Sequence, residues 1–320
     1  MGKQDIVQKS YFSNNARFAD LFNGGMYHGK HVIDAETLND ANPVLSMMEG
    51  DCIIEKSCDQ MRKNKFCIWM LENQEFIDYS MPIRVMLKEA MEYDEQRKQL
   101  AEANRKRWKK EGKPQNPGEY LYRFRKEDKL IPINSLVLYW GEENWDGATS
   151  LRELLYDREN EHSDEIMEYV ADYKIHVFNL NEPHDYSQFE TELREVFELY
   201  QRRNDVNEFM RYYDSIDKQK MTYETVKFLG HITDSKRLLN YVETEQIQSD
   251  KEDEAVCLAI EELYQKGCSE GIELGRSEGE GNFAKLVLFL TRDHRMDDIE
   301  KVAVDEKYRH KLFHEFGIED

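Results

Sequence analysis

The sequence predicts an α/β (α+β) domain followed by a helical C-terminal region, and three observations predict this order. Residues 66–71 form a continuous apolar run, rich in aromatic and branched side chains, which is typical of a strand buried on both faces. The pattern that begins at Ser80-Met81-Pro82 keeps a helical period to about Arg107. From about Asp185 onward, the sequence has the pattern of helices.

The first elements lead into a pair of strands. A helix is predicted from Lys9 to Asn23, and Asn23-Gly24-Gly25 ends it. Cys52 to Asp59 and Lys65 to Gln74 are predicted strands, and the polar residues 62–65 between them predict a turn. Together they favour an antiparallel hairpin.

The elements after the hairpin alternate between helix and strand. Ser80 is predicted to cap the long helix, and Pro82 fits its first turn. Strands are predicted at 130–139 and 173–180, with a short helix at 151–155 between them. The predicted boundaries are 1–183 for the α/β domain, 184–265 for a helical region, and 266–320 for a glycine-repeat helix with a small helical tail.

The glycine repeat near the C-terminus indicates a contact between helices of two protein chains. Gly267, Gly271, Gly275 and Gly279 are four residues apart, so on a helix they line one edge and let a second helix approach closely. We therefore expect a homo-oligomer formed through the C-terminal helices. The alternative is that the same glycines belong to a flexible linker.

Charge is distributed unevenly along the chain. The net charge of −21 would repel nucleic acid at long range. Residues 97–129, however, hold twelve basic against five acidic side chains, whereas residues 243–282 hold three against twelve. The candidate DNA-binding residues in the basic stretch are Arg105, Lys106, Arg107, Trp108, Lys109 and Lys110. The alternative is that both stretches are solvated helix surfaces.

The N-terminus and the cysteines bear on the compartment. Met1 to Ser10 has no apolar core of a signal peptide, and the longest apolar stretches are too short to span a bilayer. Five cysteines without a C-x-x-C pair support neither a disulfide framework nor a zinc knuckle. The sequence thus predicts a soluble cytoplasmic protein with no membrane partner.

Three polar side chains at the ends of the predicted hairpin are candidates for chemistry. Asp59 ends the first strand, and Glu72 and Gln74 end the second. Glu72 and Gln74 are two residues apart on one strand, so both point to the same face. Two carboxylates on one face suit Mg²⁺, which prefers oxygen ligands and keeps several waters. Glu72 also follows six apolar residues, where a charge needs a partner or a metal.

Several segments, in this order, resemble a known family. They are N-A-R-F-A-D-L-F-N at 15–23, D-Q-M at 59–61, L-E-N-Q at 71–74, Y-S-M-P-I-R-V-M-L at 79–87, E-D-K-L-I-P-I at 127–133, V-L-Y-W at 137–140, W-D-G-A-T-S-L at 145–151 and the C-terminal E-G repeat. The chain resembles the Rpn family of recombination-promoting nucleases, also described as putative transposases (YhgA-like), within the PD-(D/E)XK superfamily.

The resemblance implies a restriction-endonuclease-like core with a mixed central sheet flanked by helices. It implies that Asp59 and Glu72 bind Mg²⁺ or Mn²⁺, and that Gln74, in the position of the superfamily's lysine, orients the attacking water. Asp20, Arg84 and Tyr93 are auxiliary candidates by the same resemblance. For Arg84 and Tyr93, the alternatives are a surface salt bridge and a packed aromatic.

Two functions remain open. The leading hypothesis is a metal-dependent DNA endonuclease without strong sequence preference. The other is a catalytically degenerate nuclease fold that acts as a DNA-binding or oligomeric scaffold. The sequence contains no G-x-x-x-x-G-K-[ST] string, so it does not support a nucleotide-binding ATPase.

Overall fold

The computed structural model describes residues 3–49, 52–155, 163–217, 221–233, 281–293 and 295–318. The chain divides into two compact units, Met1–Glu243 and Thr244–Asp320. The predicted boundaries fall after residues 183 and 265, so the first compact unit extends about sixty residues further than the predicted α/β domain.

The first unit contains eight described helices and seven strands. The helices are α1 (Lys3–Tyr11), α2 (Asn15–Gly25), α3 (Met81–Glu111), α4 (Pro117–Tyr122), α5 (Ser163–Glu168), α6 (Leu193–Gln201), α7 (Val206–Ser215) and α8 (Tyr223–Ile232). The strands are β1 (Asn39–Asp40), β2 (Val44–Glu49), β3 (Cys52–Ser57), β4 (Gln60–Lys63), β5 (Ile68–Gln74), β6 (Ile133–Tyr139) and β7 (His176–Asn179).

Five of these strands form a mixed sheet in the order β1-β4-β5-β6-β7. β1, β4 and β5 pair antiparallel, whereas β5, β6 and β7 pair parallel. The parallel pair β5–β6 requires a crossover connection, and the long helix α3 provides it. The predicted α/β (α+β) class, with a mixed sheet flanked by helices, is confirmed at this level.

The hairpin differs from the predicted one. β5 pairs with β4, in which Met61 lies opposite Met70. The predicted strand Cys52–Asp59 is instead β3, which pairs with β2 in a separate two-stranded sheet. Residues 62–63, predicted as part of the turn, are strand residues, because Arg62 has long-range partners: its guanidinium donates to Asn15 Oδ1 at 3.1 Å and to Ser13 O at 3.0 Å.

Two predicted helix starts also need correction. The single helix predicted from Lys9 to Asn23 is two helices, because Asn14 caps α2 by accepting the N–H groups of Ala16 and Arg17. Ser80 precedes α3, but its side chain makes no capping hydrogen bond. Its hydroxyl donates to Asp78 Oδ1 at 2.7 Å instead.

Helices cover both faces of the sheet. On one face, α3 packs Met81, Val85 and Met91 against apolar side chains of β5 and β6. On the other face, Trp69 Nε1 donates to the hydroxyl of Tyr27, just after α2, at 3.0 Å. α6 covers the same side with Phe197, 5.8 Å from Phe178 between ring centroids. Glu72 and Gln74 belong to the α3 face, because they alternate in step with Ile68 and Met70.

The α6 and α8 segments are anchored on α1 and α2. The Phe228 ring of α8 stacks on Tyr11 with centroids 4.1 Å apart. Buried Arg17 forms ion pairs with Glu192 at 2.5 Å and Glu224 at 2.7 Å. These contacts explain why residues beyond 183 belong to the first compact unit.

The second unit is described only in its C-terminal part. Helical residues 281–292 and the helices Met296–Val304 and Glu306–Phe316 enclose a small apolar cluster. This agrees with the predicted helical tail. The glycine repeat at 267–279 lies outside the described residues. Among the helices that the structure describes, none combines the length and the apolar character needed to cross a membrane.

Candidate functional site at the carboxyl end of β5

The β4–β5 hairpin brings Asp59 beside Glu72. Gln60 pairs with Leu71, so the next position outward sets Asp59 opposite Glu72. The Asp59 N–H donates to Leu71 O at 3.0 Å, and Asp59 Oδ2 accepts the N–H of Asn73 at 2.7 Å. Asp59 therefore stands at the start of a hairpin strand, whereas the sequence analysis placed it at the end of one.

Glu72 is a buried carboxylate with two cationic partners. The residue is 2% exposed. Its Oε1 lies 2.5 Å from Lys88 Nζ, and its Oε2 lies 3.3 Å from an Arg84 guanidinium nitrogen. Both cations come from α3, so the crossover helix neutralises the charge at the end of the neighbouring strand.

Lys88 is the principal site residue that the sequence analysis missed. It is 3% exposed and follows Met81 and Val85 on the buried face of α3. A lysine at a core position of an amphipathic helix needs an acid nearby, because an unpaired buried charge is costly. That periodic position was the available signal for Lys88.

The charged cluster extends from the core to the surface. Arg84 also lies 3.4 Å from Asp78, which precedes α3. Asp59 Oδ1 lies 3.4 Å from Lys9 Nζ on α1. Arg84 and Lys9 are partly exposed, at 40% and 25% of their side chains, whereas the Lys88–Glu72 pair is enclosed.

Burial has the largest effect on the pKa of Glu72. Removal from water raises this pKa, the Lys88 and Arg84 charges lower it, and the Asp59 carboxylate raises it, so that the pKa is raised overall. The Cys58 thiol, buried next to this pair, has its pKa raised to about 12 by burial and by Glu72. Burial also raises the pKa of Asp78, but hydrogen bonds from Ser80 and the Arg84 charge outweigh it and lower the pKa overall.

Gln74 ends β5 on the same face as Glu72. It lies beside Tyr139 at the end of the parallel strand β6, and its backbone carbonyl accepts the N–H of Trp140 at 3.1 Å. The carboxyl ends of parallel strands are where open α/β sheets commonly bind ligands. Asp59, Glu72 and Gln74 thus lie at the same end of the sheet.

Asp20 and Tyr93 have structural partners elsewhere. Asp20 is on α2, across the sheet from Glu72, and its carboxylate accepts the N–H groups of Glu190 and Thr191 and the Thr191 hydroxyl. The Tyr93 hydroxyl accepts the N–H of Ile133 at 3.1 Å, at the opposite end of β6 from the site. Neither residue joins Arg84 at the carboxylate pair.

The basic stretch lies at the far end of α3. Arg105 pairs with Glu102 at 2.9 Å, and Lys106 lies 3.9 Å from the same carboxylate. The side chains of Arg107, Lys109 and Lys110 are exposed, and half-buried Trp108 lies 5.9 Å from Tyr120 between ring centroids. Along the helix, Trp108 is about 30 Å from Lys88. The basic stretch is therefore a surface separate from the carboxylate pair.

The site offers few side chains that could bind a metal ion. Within the described ranges, no group of three or more His, Cys, Asp or Glu side chains converges on a metal-sized position. Asp59 and Glu72 supply two carboxylates, and any remaining ligands of a cation there would be water or substrate oxygens.

Comparison of the chain with family models, with curated proteins and with solved structures finds no match in any of the three. The functional assignment therefore rests on the residues themselves.

Proposed function

We propose that the protein is a metal-dependent DNA endonuclease built on a PD-(D/E)XK-type core, with its active site at the carboxyl end of β5. The observation that carries the proposal is the pairing of Asp59 with buried Glu72 at one end of a hairpin, on the face where Gln74 also lies. A buried carboxylate at a strand end with a raised pKa, such as Glu72, is typical of functional sites.

The two carboxylates fit a hard divalent cation that needs few protein ligands. Asp59 has 18% of its side chain exposed and can be reached from solvent. Arg84 can leave Glu72 and still keep one ion pair, because Asp78 lies 3.4 Å from it. Mg²⁺ or Mn²⁺ held by Asp59 and Glu72 would supply a water of lowered pKa and offset charge on the scissile phosphate.

The chain's own residues have distinct tasks in this proposal. Lys88 favours the ionised form of Glu72 against the effect of burial and fixes its orientation from a buried position 2.5 Å away. Gln74 contributes an amide that can orient the attacking water, because it projects from the same strand face as Glu72. Arg84 is exposed enough to turn towards a phosphate oxygen when it leaves Glu72.

Plasmid nicking tests the proposal. Purified protein is incubated with supercoiled plasmid and Mg²⁺ or Mn²⁺, next to Glu72→Gln, Asp59→Asn and the control Asp94→Asn. Asp94 pairs with Arg97 and Lys98 on the exposed side of α3. We expect nicking by the wild type and the control but not by the two site variants.

Folding is checked separately, because Glu72→Gln leaves Lys88 without its ionic partner. Asp59→Asn keeps that pair intact, so it separates loss of chemistry from loss of structure. Mg²⁺ should also raise the melting temperature of the wild type but not of Asp59→Asn, since a ligand of the folded state stabilises by mass action. Equal nicking by wild type and both folded variants, or none by any protein, would contradict the proposal.

The second candidate is a catalytically degenerate nuclease fold that acts as a DNA-binding or oligomeric scaffold. The observation that favours it is the complete ion pairing of Glu72, whose two oxygens already face Lys88 and Arg84. A buried acid neutralised in this way needs no metal. Absence of both nicking and metal-dependent stabilisation, with DNA binding retained, would support the scaffold.

A further inference from the structure

A concave groove lies where the C-terminal end of α3 meets α4. It is lined by Arg105, Trp108, Lys109, Lys113, Tyr120, Leu121 and Arg123. Four of these side chains are cationic and none is acidic, in a chain whose net charge is −21. The groove has a volume of about 490 Å³, within the usual range of small-molecule sites. Its charge and size suit a short anionic segment.

Two aromatic rings form part of the groove. Trp108 and Tyr120 lie 5.9 Å apart between centroids, at an interplanar angle of 42°. Tyr120 is 45% exposed, and the Lys113 ammonium lies 4.6 Å from its ring centroid. A planar group stacked on Tyr120 would take the place of Lys113, which could then pair with an anion next to it.

A buried polar network holds the groove in shape. The Asn104 amide, only 4% exposed as a residue, donates to Arg123 O at 3.1 Å and to Asp128 Oδ2 at 2.6 Å. Asp128 in turn accepts the N–H and the guanidinium of Arg125. Arg123 has a φ of +54°, in the left-handed region that residues with a Cβ rarely adopt. The Asn104 bond helps to hold Arg123 at this position beside α3.

We propose that this groove binds unpaired nucleotides of single-stranded nucleic acid. The cations contact successive phosphates, and a base stacks on Tyr120 beside Trp108. Unpaired nucleotides are favoured over a duplex because the ring faces of paired bases are covered by their neighbours. A nucleic acid is favoured over a membrane surface because the aromatic rings and the cations line a concavity.

The proposal does not depend on catalysis at β5. The groove lies about 30 Å along α3 from Lys88. Binding there can be measured in EDTA, where no metal-dependent cleavage occurs. If the protein binds the single strand but does not nick plasmid, only the nuclease proposal is contradicted. If it nicks plasmid but does not bind the single strand more tightly than the duplex, only the groove proposal is contradicted.

Fluorescence anisotropy of the full-length protein tests it. The probes are a fluorescein-labelled thymidine oligonucleotide and a duplex of the same length, titrated in EDTA at several salt concentrations. The site variants are Tyr120→Ala and Lys113→Gln. The matched controls are Tyr169→Ala, a residue that is 86% exposed, and Lys98→Gln on α3. Circular dichroism verifies that each variant is folded.

We expect tighter binding of the single strand than of the duplex. Tyr120→Ala should weaken binding of the single strand by roughly ten-fold or more. Lys113→Gln should reduce the slope of log affinity against log salt by about 0.7, the share of one phosphate contact. The controls should change neither quantity.

Three results would overturn the proposal. The duplex could bind as tightly as the single strand, or Tyr120→Ala could bind the oligonucleotide as the wild type does. Vesicles of anionic phospholipid could also bind the wild type while the oligonucleotide does not, which would assign the groove to a lipid surface.

Discussion

Replacement of Lys88 by methionine tests whether the buried ion pair with Glu72 organises the site. The two residues are 3% and 2% exposed, and their charged atoms are 2.5 Å apart. Methionine keeps much of the side-chain volume but removes the charge. The carboxylate of Glu72 then retains only Arg84, at 3.3 Å and 40% exposed.

The expected loss of stability follows from that geometry. Removal of one partner of a buried pair typically costs about 3–5 kcal/mol. Because Arg84 still offsets part of the charge, we expect the lower end, about 3 kcal/mol. The loss should shrink as the pH falls, because the folded-state pKa of Glu72 is already raised by burial and rises further without Lys88. Protonation of Glu72 then removes the unpaired charge.

Urea unfolding followed by tryptophan fluorescence measures this loss. All four tryptophans, at 69, 108, 140 and 145, belong to the compact unit Met1–Glu243, so the signal reports on that unit. The control is Lys98→Met, which breaks an exposed pair with Asp94 on the same helix and should cost less than about 1 kcal/mol. Measurements at about pH 8 and about pH 5 test the predicted pH dependence.

The double variant Lys88→Met/Glu72→Leu provides a second test of the ion pair. Replacing both partners by apolar groups should recover much of the stability, since the cost comes from the unpaired charge. If Lys88→Met loses no more stability than Lys98→Met, or loses more at low pH than at high pH, the assigned role of the pair is wrong.

Two further predictions concern residues outside the carboxylate pair. Asp20→Ala should destabilise the first unit by about 2 kcal/mol, because the N–H groups of Glu190 and Thr191 lose their acceptor; urea unfolding measures this, and a change below about 0.5 kcal/mol would contradict it. Cys58 should resist a maleimide in the folded protein near neutral pH, because its buried thiol has a pKa of about 12, and it should react in urea. Peptide mapping by mass spectrometry reads out the modification, and rapid labelling of Cys58 in the folded protein would refute the prediction.

Local sequence patterns were sufficient to predict the strongest elements. β5 was predicted because a run of six apolar residues is typical of a buried strand. α3 was predicted because the helical period of its apolar residues continues over a long segment. β4 was missed because Gln60, Arg62 and Lys63 are polar. Arg62 is buried in a strand where two of its hydrogen-bond partners, Asn15 and Ser13, lie almost fifty positions away, and no local pattern encodes such contacts.

The site residues divide in the same way. Glu72 and Gln74 followed from strand alternation, and a buried Glu72 implied a partner. Lys88 could have been recognised from its helical position, since it lies three residues after Val85 on the buried face. The role of Asp20 could not have been recognised from the sequence, because its hydrogen-bond donors are 170 and 171 positions away in the chain.

The anchoring of α6 and α8 on the N-terminal helices has a practical consequence for truncation. A chain ended at residue 183 would lose the acids that neutralise Arg17 and the ring that stacks on Tyr11, and Phe178 would lose its cover from α6. Such a fragment would expose aromatic side chains and leave the Arg17 guanidinium without these two acids, so it should aggregate when expressed. A fragment that ends at residue 243 keeps these contacts. It is therefore the fragment to purify when a form shorter than the whole chain is needed.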